Sequence, residues 1–355
     1  PHNNPATVYE ANSHDLYKAA NIYAQYENTF AEKHYFKAMV GYNQESKHNE
    51  SFSVQVKNLV NQDYPFLKLN NDDKPSVGSG ISDWALIGSF FRLNYVYNQK
   101  YLVEVNGRYD GSSRFSRENR YVFSPSASLG WRISKEKFFE PINSVVNDLK
   151  FRVSYGKLPN QQVNALYPYL PTMPYGNQTG YIFGTQQLPY VSAPGLVSNN
   201  FTWEEVATRN FGVDFGFLNN RLTGSFDYYI RNTTGMLVNG LALPAVLGVG
   251  APQRNAADLE TKGFELTLGW HDAIGEDFKY GVSFNLADSR SFITKYDLNP
   301  TGSLGDYYVG REIGEIWGYT TEGLYQTDED AAKLDKTKLA GYKWLAGDVK
   351  YKDLN

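Results

Sequence analysis

The chain of 355 residues contains no cysteine, which excludes disulfides and thiolate metal sites. It also lacks a charge excess and any basic run. Its 34 Lys+Arg stand against 38 Asp+Glu, a formal charge of −4, which argues against nucleic acid as a partner. The five histidines, His2, His14, His34, His48 and His271, are scattered, without the paired spacing of a metal-binding helix or strand. No G-x-S-x-G nucleophile elbow occurs. Gly248-Val249-Gly250 lacks the third glycine and the strand–helix context of a phosphate cradle. No apolar run approaches the roughly 20 residues that a membrane helix needs. The amino terminus, Pro1-His2-Asn3-Asn4, has no initiator Met, charged n-region or apolar h-region, so the expectation is a processed product or an internal piece.

Aromatic residues, in contrast, are abundant. There are 28 Tyr, 21 Phe and 6 Trp, 15% of the chain, beside a mean hydropathy of −0.50. A membrane β-barrel combines these properties, because its lipid-facing residues alternate with polar ones and never form a long apolar run. A secreted β-sandwich or propeller has the same composition, and composition alone leaves both open.

Period-two alternation recurs from end to end. Phe211, Val213, Phe215 and Phe217 share one face while Gly212, Asp214 and Gly216 share the other. Phe226, Tyr228 and Ile230 oppose Ser225, Asp227 and Arg231, and Phe264, Leu266, Leu268 and Trp270 oppose Glu265 and Thr267. Phe91, Leu93 and Tyr95 oppose Arg92 and Asn94; Val103 and Val105 oppose Glu104, Asn106 and Arg108; Leu129, Trp131 and Ile133 flank Gly130 and Arg132. About ten such segments of roughly 9–11 residues emerge, the length of a tilted membrane strand.

The connections between them alternate short and long. Short ones are expected near residues 27–32, 97–100, 218–221 and 271–277. Long ones are expected near 43–82, 110–121, 158–202, 232–258 and 287–313. Residues 134–149, with the apolar pair Phe138-Phe139, are an intermediate case on the short side that suits a small interfacial turn. Such alternation puts tight turns at one end of the strands and large loops at the other, as in outer-membrane barrels. A Greek key or a propeller blade has no reason to keep it.

The 158–202 loop interleaves five prolines with Tyr167, Tyr169, Tyr175, Tyr181 and Tyr190. Tyr167, Tyr169, Tyr175 and Tyr181 are candidates for ligand contact, by stacking on sugar rings or gripping peptide. The alternative is that they pack on one another or on a partner. Glu204-Glu205 is the closest carboxylate pair, but strand neighbours point to opposite faces, so the two do not form an acid/base couple on one substrate. The terminal Asp353-Leu354-Asn355 has the form of the opening of a Ca²⁺-type loop. On the residues present it reads as an ordinary polar turn. No cofactor and no catalytic residue are expected.

Several strings resemble the SusC/RagA family of TonB-dependent outer-membrane transporters of Bacteroidetes. These are AQYENTFAEKHYFKAMVGYNQE from Ala24, RYDGSSRF with SPSASLGWRIS up to Ser134, FTWEEVATRNFGVDFGFLNNRLTGSFDYY from Phe201, ETKGFELTL from Glu260 and the terminal GDVKYKDLN. The resemblance extends over nearly the whole chain. It implies an all-β, antiparallel transmembrane barrel, of which this chain is about ten of some twenty-two strands, located in the bacterial outer membrane. The signal peptide, regulatory-like domain, TonB-contacting segment and plug of the family have no counterpart in these residues. It implies import of nutrient oligomers, oligosaccharide ahead of peptide, together with a SusD-like surface lipoprotein and with energy delivered through TonB by segments outside this chain. Trp131, Phe215 and Trp270 would then anchor in lipid, while Arg92, Arg108, Arg132, Asp227 and Glu265 would line the lumen or hold the plug. The competing expectation is a soluble, secreted β-rich glycan-binding protein or hydrolase.

Overall fold

The structure is a computed structural model that describes residues 7–71, 74–163, 165–177, 184, 189–198, 200–275, 277–333 and 344–352. Two compact units divide the chain, residues 1–311 and 312–355.

The first unit is built on a ten-stranded antiparallel sheet. Its strands are β1 (Thr7–Phe30), β2 (His34–Lys57), β3 (Ser76–Tyr97), β4 (Tyr101–Ser112), β5 (Tyr121–Arg132) and β6 (Val146–Asn160), followed, after a loop carrying the short hairpin β7 (Tyr175–Asn177) and β8 (Pro189–Val191), by β9 (Glu204–Phe217), β10 (Leu222–Asn239), β11 (Gln253–Ile274) and β12 (Phe278–Tyr296). Each wall strand pairs with the next one in chain order, β6 pairing directly with β9. The order is a simple meander with no crossover.

The alternation of connections is as expected. Tight turns at 31–33, 98–100, 218–221 and 275–277 alternate with loops at 58–75, 113–120, 161–203 and 240–252. The intermediate segment folds into two 3₁₀ turns, Ile133–Lys135 and Lys137–Ile142. The tight turns bend through left-handed backbone, at Asn98 and Gln99 and at Leu218, Asn219 and Asn220. Asn tolerates that region better than most residues.

Strand length departs from expectation. The strands run from 12 to 24 residues where 9–11 suffice for a bilayer. The 43–82 connection is mostly strand, with only 58–75 left as loop. β4 stops at Ser112, opposite Leu86, so residues 76–85 of β3 continue paired with β2 alone. Apolar alternation fades along these extensions, which is why they read as loop. The backbone ladder holds them together whatever the side chains are. The outermost strands, β1 and β12, are exposed almost throughout.

The second unit pairs β13 (Thr321–Leu324) with β14 (Val349–Tyr351). Between them lies a single-turn helix, α1 (Asp328–Ala332), capped by the Thr327 side chain on the Asp330 N–H. Asp353 and Asn355, the expected opening of a cation loop, lie outside the described residues.

Candidate functional site

The register places most of the apolar residues of the ten strands on one face. Tyr26, Ala38, Leu93, Val105 and Ala127 form one row across β1 to β5. Leu129, Val153, Phe211, Tyr228 and Phe264 form another across β5 to β11. Most of their side chains are exposed, among them Phe151, Val153, Phe211, Phe226, Val282 and Phe284. An apolar surface running the width of ten strands is far beyond the few hundred Å² that a water-soluble protein tolerates.

Aromatic rings border this face at two levels. At the tight-turn end His34, Tyr97, Tyr101 and Trp131 stand side by side, with centroids 5.0, 6.3 and 6.5 Å apart in succession. At the loop end Tyr109 stacks on Tyr121 at 5.4 Å. Tyr101 and Tyr109 lie on the same strand and face, about 27 Å apart at ~3.4 Å per residue, and barrel girdles flank a band about 25 Å tall. Trp270 and Phe215 also lie on the apolar face, Trp270 opposite Leu222 next to the 218–221 turn.

The opposite face is polar, and most of its charges are paired, within a strand or across to the next. Arg92 meets Glu104 at 2.7 Å, and Glu104 also accepts from Asn94 and, at 2.8 Å, from Asn106. Arg108 forks onto Asp110 at 2.8 and 3.2 Å, donates to Asn43 at 3.1 Å and lies over the Phe90 ring. Arg152 is the hub of the largest cluster. It donates to Asp214 at 2.8 Å and to Asp227 at 2.9 and 3.0 Å, while Asn210 also donates to Asp227 and Lys150 to Asp214.

Glycine makes these spans possible. Arg152, Gly212 and Asp227 are neighbours in one row across β6, β9 and β10. A Cβ at Gly212 would sit 2.6 Å from both the Arg152 Cζ and an Asp227 oxygen. Gly88 does the same between Asn43 and Asp110, where a Cβ would meet each of their side-chain oxygens at 2.4 Å.

Of the residues singled out from sequence, Arg92, Arg108 and Asp227 belong to these clusters. Arg132 lies at the tight-turn end, donating to the Gln99 carbonyl at 3.3 Å. Glu265 faces Asp227 across the strand pair and has no polar partner among the described residues. Arg152, Asp214, Lys150, Glu104, Gly212 and Gly88 were missed. Their signal was present, since each occupies a polar position in an alternating string, but periodicity shows a face and not which residues on it meet.

At the loop end the connections have a small core of their own. Phe115, Phe201 and Trp203 are buried together, with Phe115 and Trp203 stacked at 4.5 Å. Trp203 Nε1 donates to the Asn119 carbonyl at 2.9 Å and the Asn119 amide to that of Phe201 at 3.1 Å. The Asn255 side chain holds both the N–H and the carbonyl of Thr202. Next to this core a recess of about 400 Å³ opens on the polar face, lined by Asn43, Arg108, Asp110, Ser124, Lys157 and Trp203. Glu204 and Glu205 have separate partners, Asn160 with the Leu237 N–H for the first and Lys157 for the second.

The candidate tyrosines divide. Tyr167 donates its hydroxyl to the Asp83 carbonyl at 2.5 Å and accepts the Asp83 N–H at 3.2 Å. Tyr169 donates to the Ser113 carbonyl at 3.2 Å. Tyr175 stands exposed at the start of the β7–β8 hairpin. Tyr181 lies outside the described residues.

A meander with one apolar and one polar face, ringed by aromatics, is a wall of an outer-membrane β-barrel. Residues 2–353 match the family model described as TonB dependent receptor-like, beta-barrel. The chain belongs to the TonB-dependent receptor β-barrel family, a family of outer-membrane receptors and not of enzymes. It is 34% identical over 292 residues to TonB-dependent receptor SusC of Bacteroides thetaiotaomicron, covering 81% of this chain and 28% of that protein. TonB-dependent receptor P3 of Formosa agariphila is 29% identical over 86% of this chain and 31% of its own length. Among solved structures, the RagAB peptide transporter superposes with a TM-score of 0.75 at 22% identity, over 90% of this chain and 35% of that one. The likeness to RagAB shows the same fold. The chain spans about a third of the length of the relatives it matches.

Proposed function

We propose that this chain is a wall section of a longer TonB-dependent importer of nutrient oligomers, working with a SusD-like surface lipoprotein. The observation that carries the reading is the ten-strand apolar face backed by a polar face of cross-paired charge. In a closed barrel the apolar face meets lipid, and no strand edge is left open to it. Arg92, Arg108, Asp227, Glu265 and the Arg152 cluster then face the lumen, where they line the path or hold a plug, and Arg132 sits at its inner mouth. The long loops form the outer rim, and TonB acts through segments outside these residues.

Oligosaccharide is the cargo placed ahead of peptide. Exposed rings such as Tyr175 at the rim suit stacking on sugar faces, and the charges around the recess already have partners. Arg108 is paired with Asp110 and Lys157 with Glu205, so the wall offers hydrogen-bonding groups more than an unpaired cation or anion.

The test is deletion of the gene for the full-length parent, followed by growth on defined oligosaccharides or on peptides as sole carbon source. Loss of growth on an oligosaccharide, restored by the gene, is the expected result. Loss on peptides alone reverses the cargo assignment, and unimpaired growth on every oligomer contradicts import.

A further inference from the structure

The segment joining β5 to β6 does more than close a turn. At 133–145 it is the longest of the connections at the tight-turn end, and its apolar side chains are divided between inside and outside. Phe139 is 6% exposed whereas its neighbour Phe138 is 67% exposed. Ile142 and Val145 are exposed as well, and so is Leu218 of the adjoining turn, whose N–H donates to the Val145 carbonyl at 2.8 Å.

Glu136 fixes where this segment lies. Its carboxylate accepts from Tyr101 Oη at 2.7 Å, from Trp131 Nε1 at 3.2 Å and from Lys100 Nζ at 2.8 Å. Tyr101 and Trp131 are the stacked aromatic border of the apolar face. Glu136 is thereby tied to the apolar side of the wall, at the level where that face ends, whereas Ser134, donating to Asp148 at 3.1 Å, and Lys135, beside Arg132, Asp148 and Asp214, lie on the polar side. Lys137 follows Glu136 in the sequence; it is exposed and has no ion-pair partner among the described residues.

We infer that residues 133–145 form a foot in the phospholipid headgroup layer of the leaflet at the tight-turn end. Phe138 and Ile142 dip below the headgroups while Lys137 meets lipid phosphate. An apolar ridge bordered by a lysine is the composition of an interfacial membrane contact. The choice of lipid over a protein partner rests on continuity, since the ridge extends the aromatic border of the face already assigned to lipid. This inference rests on the barrel reading, and the experiment separates the two.

In the full-length parent, Phe138→Cys, Ile142→Cys, Val153→Cys and Ser154→Cys variants are each labelled with an environment-sensitive fluorophore. They are reconstituted in phosphatidylethanolamine nanodiscs with or without phosphatidylglycerol, and folding is checked by heat-modifiable mobility. Phospholipids brominated near the headgroup or deep in the acyl chain serve as quenchers. Labels at 138 and 142 are expected to be quenched about two-fold or more by the shallow bromines and little by the deep ones, as for a group just below the headgroups. The label at 153 is expected to respond to deep bromines and that at 154 to neither. Phosphatidylglycerol is expected to strengthen quenching at 138, and Lys137→Gln to abolish that dependence. Unquenched labels at 138 and 142 beside a quenched 153 overturn the foot and leave the barrel standing. An unquenched 153 overturns the barrel reading itself. Quenching at 138 that ignores phosphatidylglycerol overturns the role given to Lys137.

Discussion

Arg152 reaches a carboxylate two strands away because Gly212, the residue between them, has no side chain. Replacing Arg152 with Met leaves Asp214 and Asp227 close together without their shared cation. The cluster is partly wetted, at 17–31% side-chain exposure, so the cost should be about 2 kcal/mol and not the larger figure of a dry ion pair. A urea midpoint shift in the refolded parent reads it, and adding Asp227→Asn should recover part of the loss. Gly212→Val should cost about as much, roughly 1–3 kcal/mol, by forcing the guanidinium aside. An unchanged midpoint in either variant contradicts the cluster. Glu136 gives a pH-dependent prediction. Its hydrogen bond from the Lys100 ammonium, with those from Tyr101 and Trp131, holds its carboxyl down at about 2 from an ordinary 4.5. A lowered carboxyl pKa stabilises the fold above the unfolded value and loses that effect as pH falls through the folded one. The stability difference between wild type and Glu136→Gln should thus be constant above pH 4.5 and vanish on approach to pH 2. A difference that grows as the pH falls would contradict the assignment.

Among elements, strand membership was legible wherever one face had to be apolar, as along 209–217 and 262–270. It was not legible where both faces meet water. Residues 47–57 of β2 and 76–82 of β3 are rich in Ser, Gly, Asn and charge, yet they pair residue by residue. Nothing in their side-chain pattern had to record it, because the ladder uses backbone groups alone. The loops were partly legible too. Their lengths and tyrosines could be read from the sequence, but Tyr167 and Tyr169 secure the loop to Asp83 and Ser113 through contacts more than 50 residues apart in the chain, which no local pattern contains. The Trp203 core gives the test at this scale. Trp203→Ala removes a buried ring of the kind that costs about 3–5 kcal/mol in a core, here within a core made by loops. Limited proteolysis should cut within residues 161–203 markedly faster, while the heat-modifiable mobility of the wall is retained. Unaltered cleavage would show that the aromatic core does not hold the loop.

For the whole molecule, the two faces are the central claim, since family membership, outer-membrane location and the proposed import all place lipid on one and an aqueous lumen on the other. The ten strands form an open sheet, and the chain matches about a third of each relative. The direct measurement is a single-cysteine scan of residues 209–217 on β9 in the full-length parent, in native outer membranes. Each variant is reacted with a water-soluble maleimide that passes through porins, and in parallel with a lipid-soluble one. Strict alternation is expected, with Asn210, Gly212, Asp214 and Gly216 positions reacting with the water-soluble reagent. Those of Phe211, Val213 and Phe215 should react only with the lipid-soluble one. Uniform labelling by the water-soluble reagent along the whole strand would contradict the membrane wall.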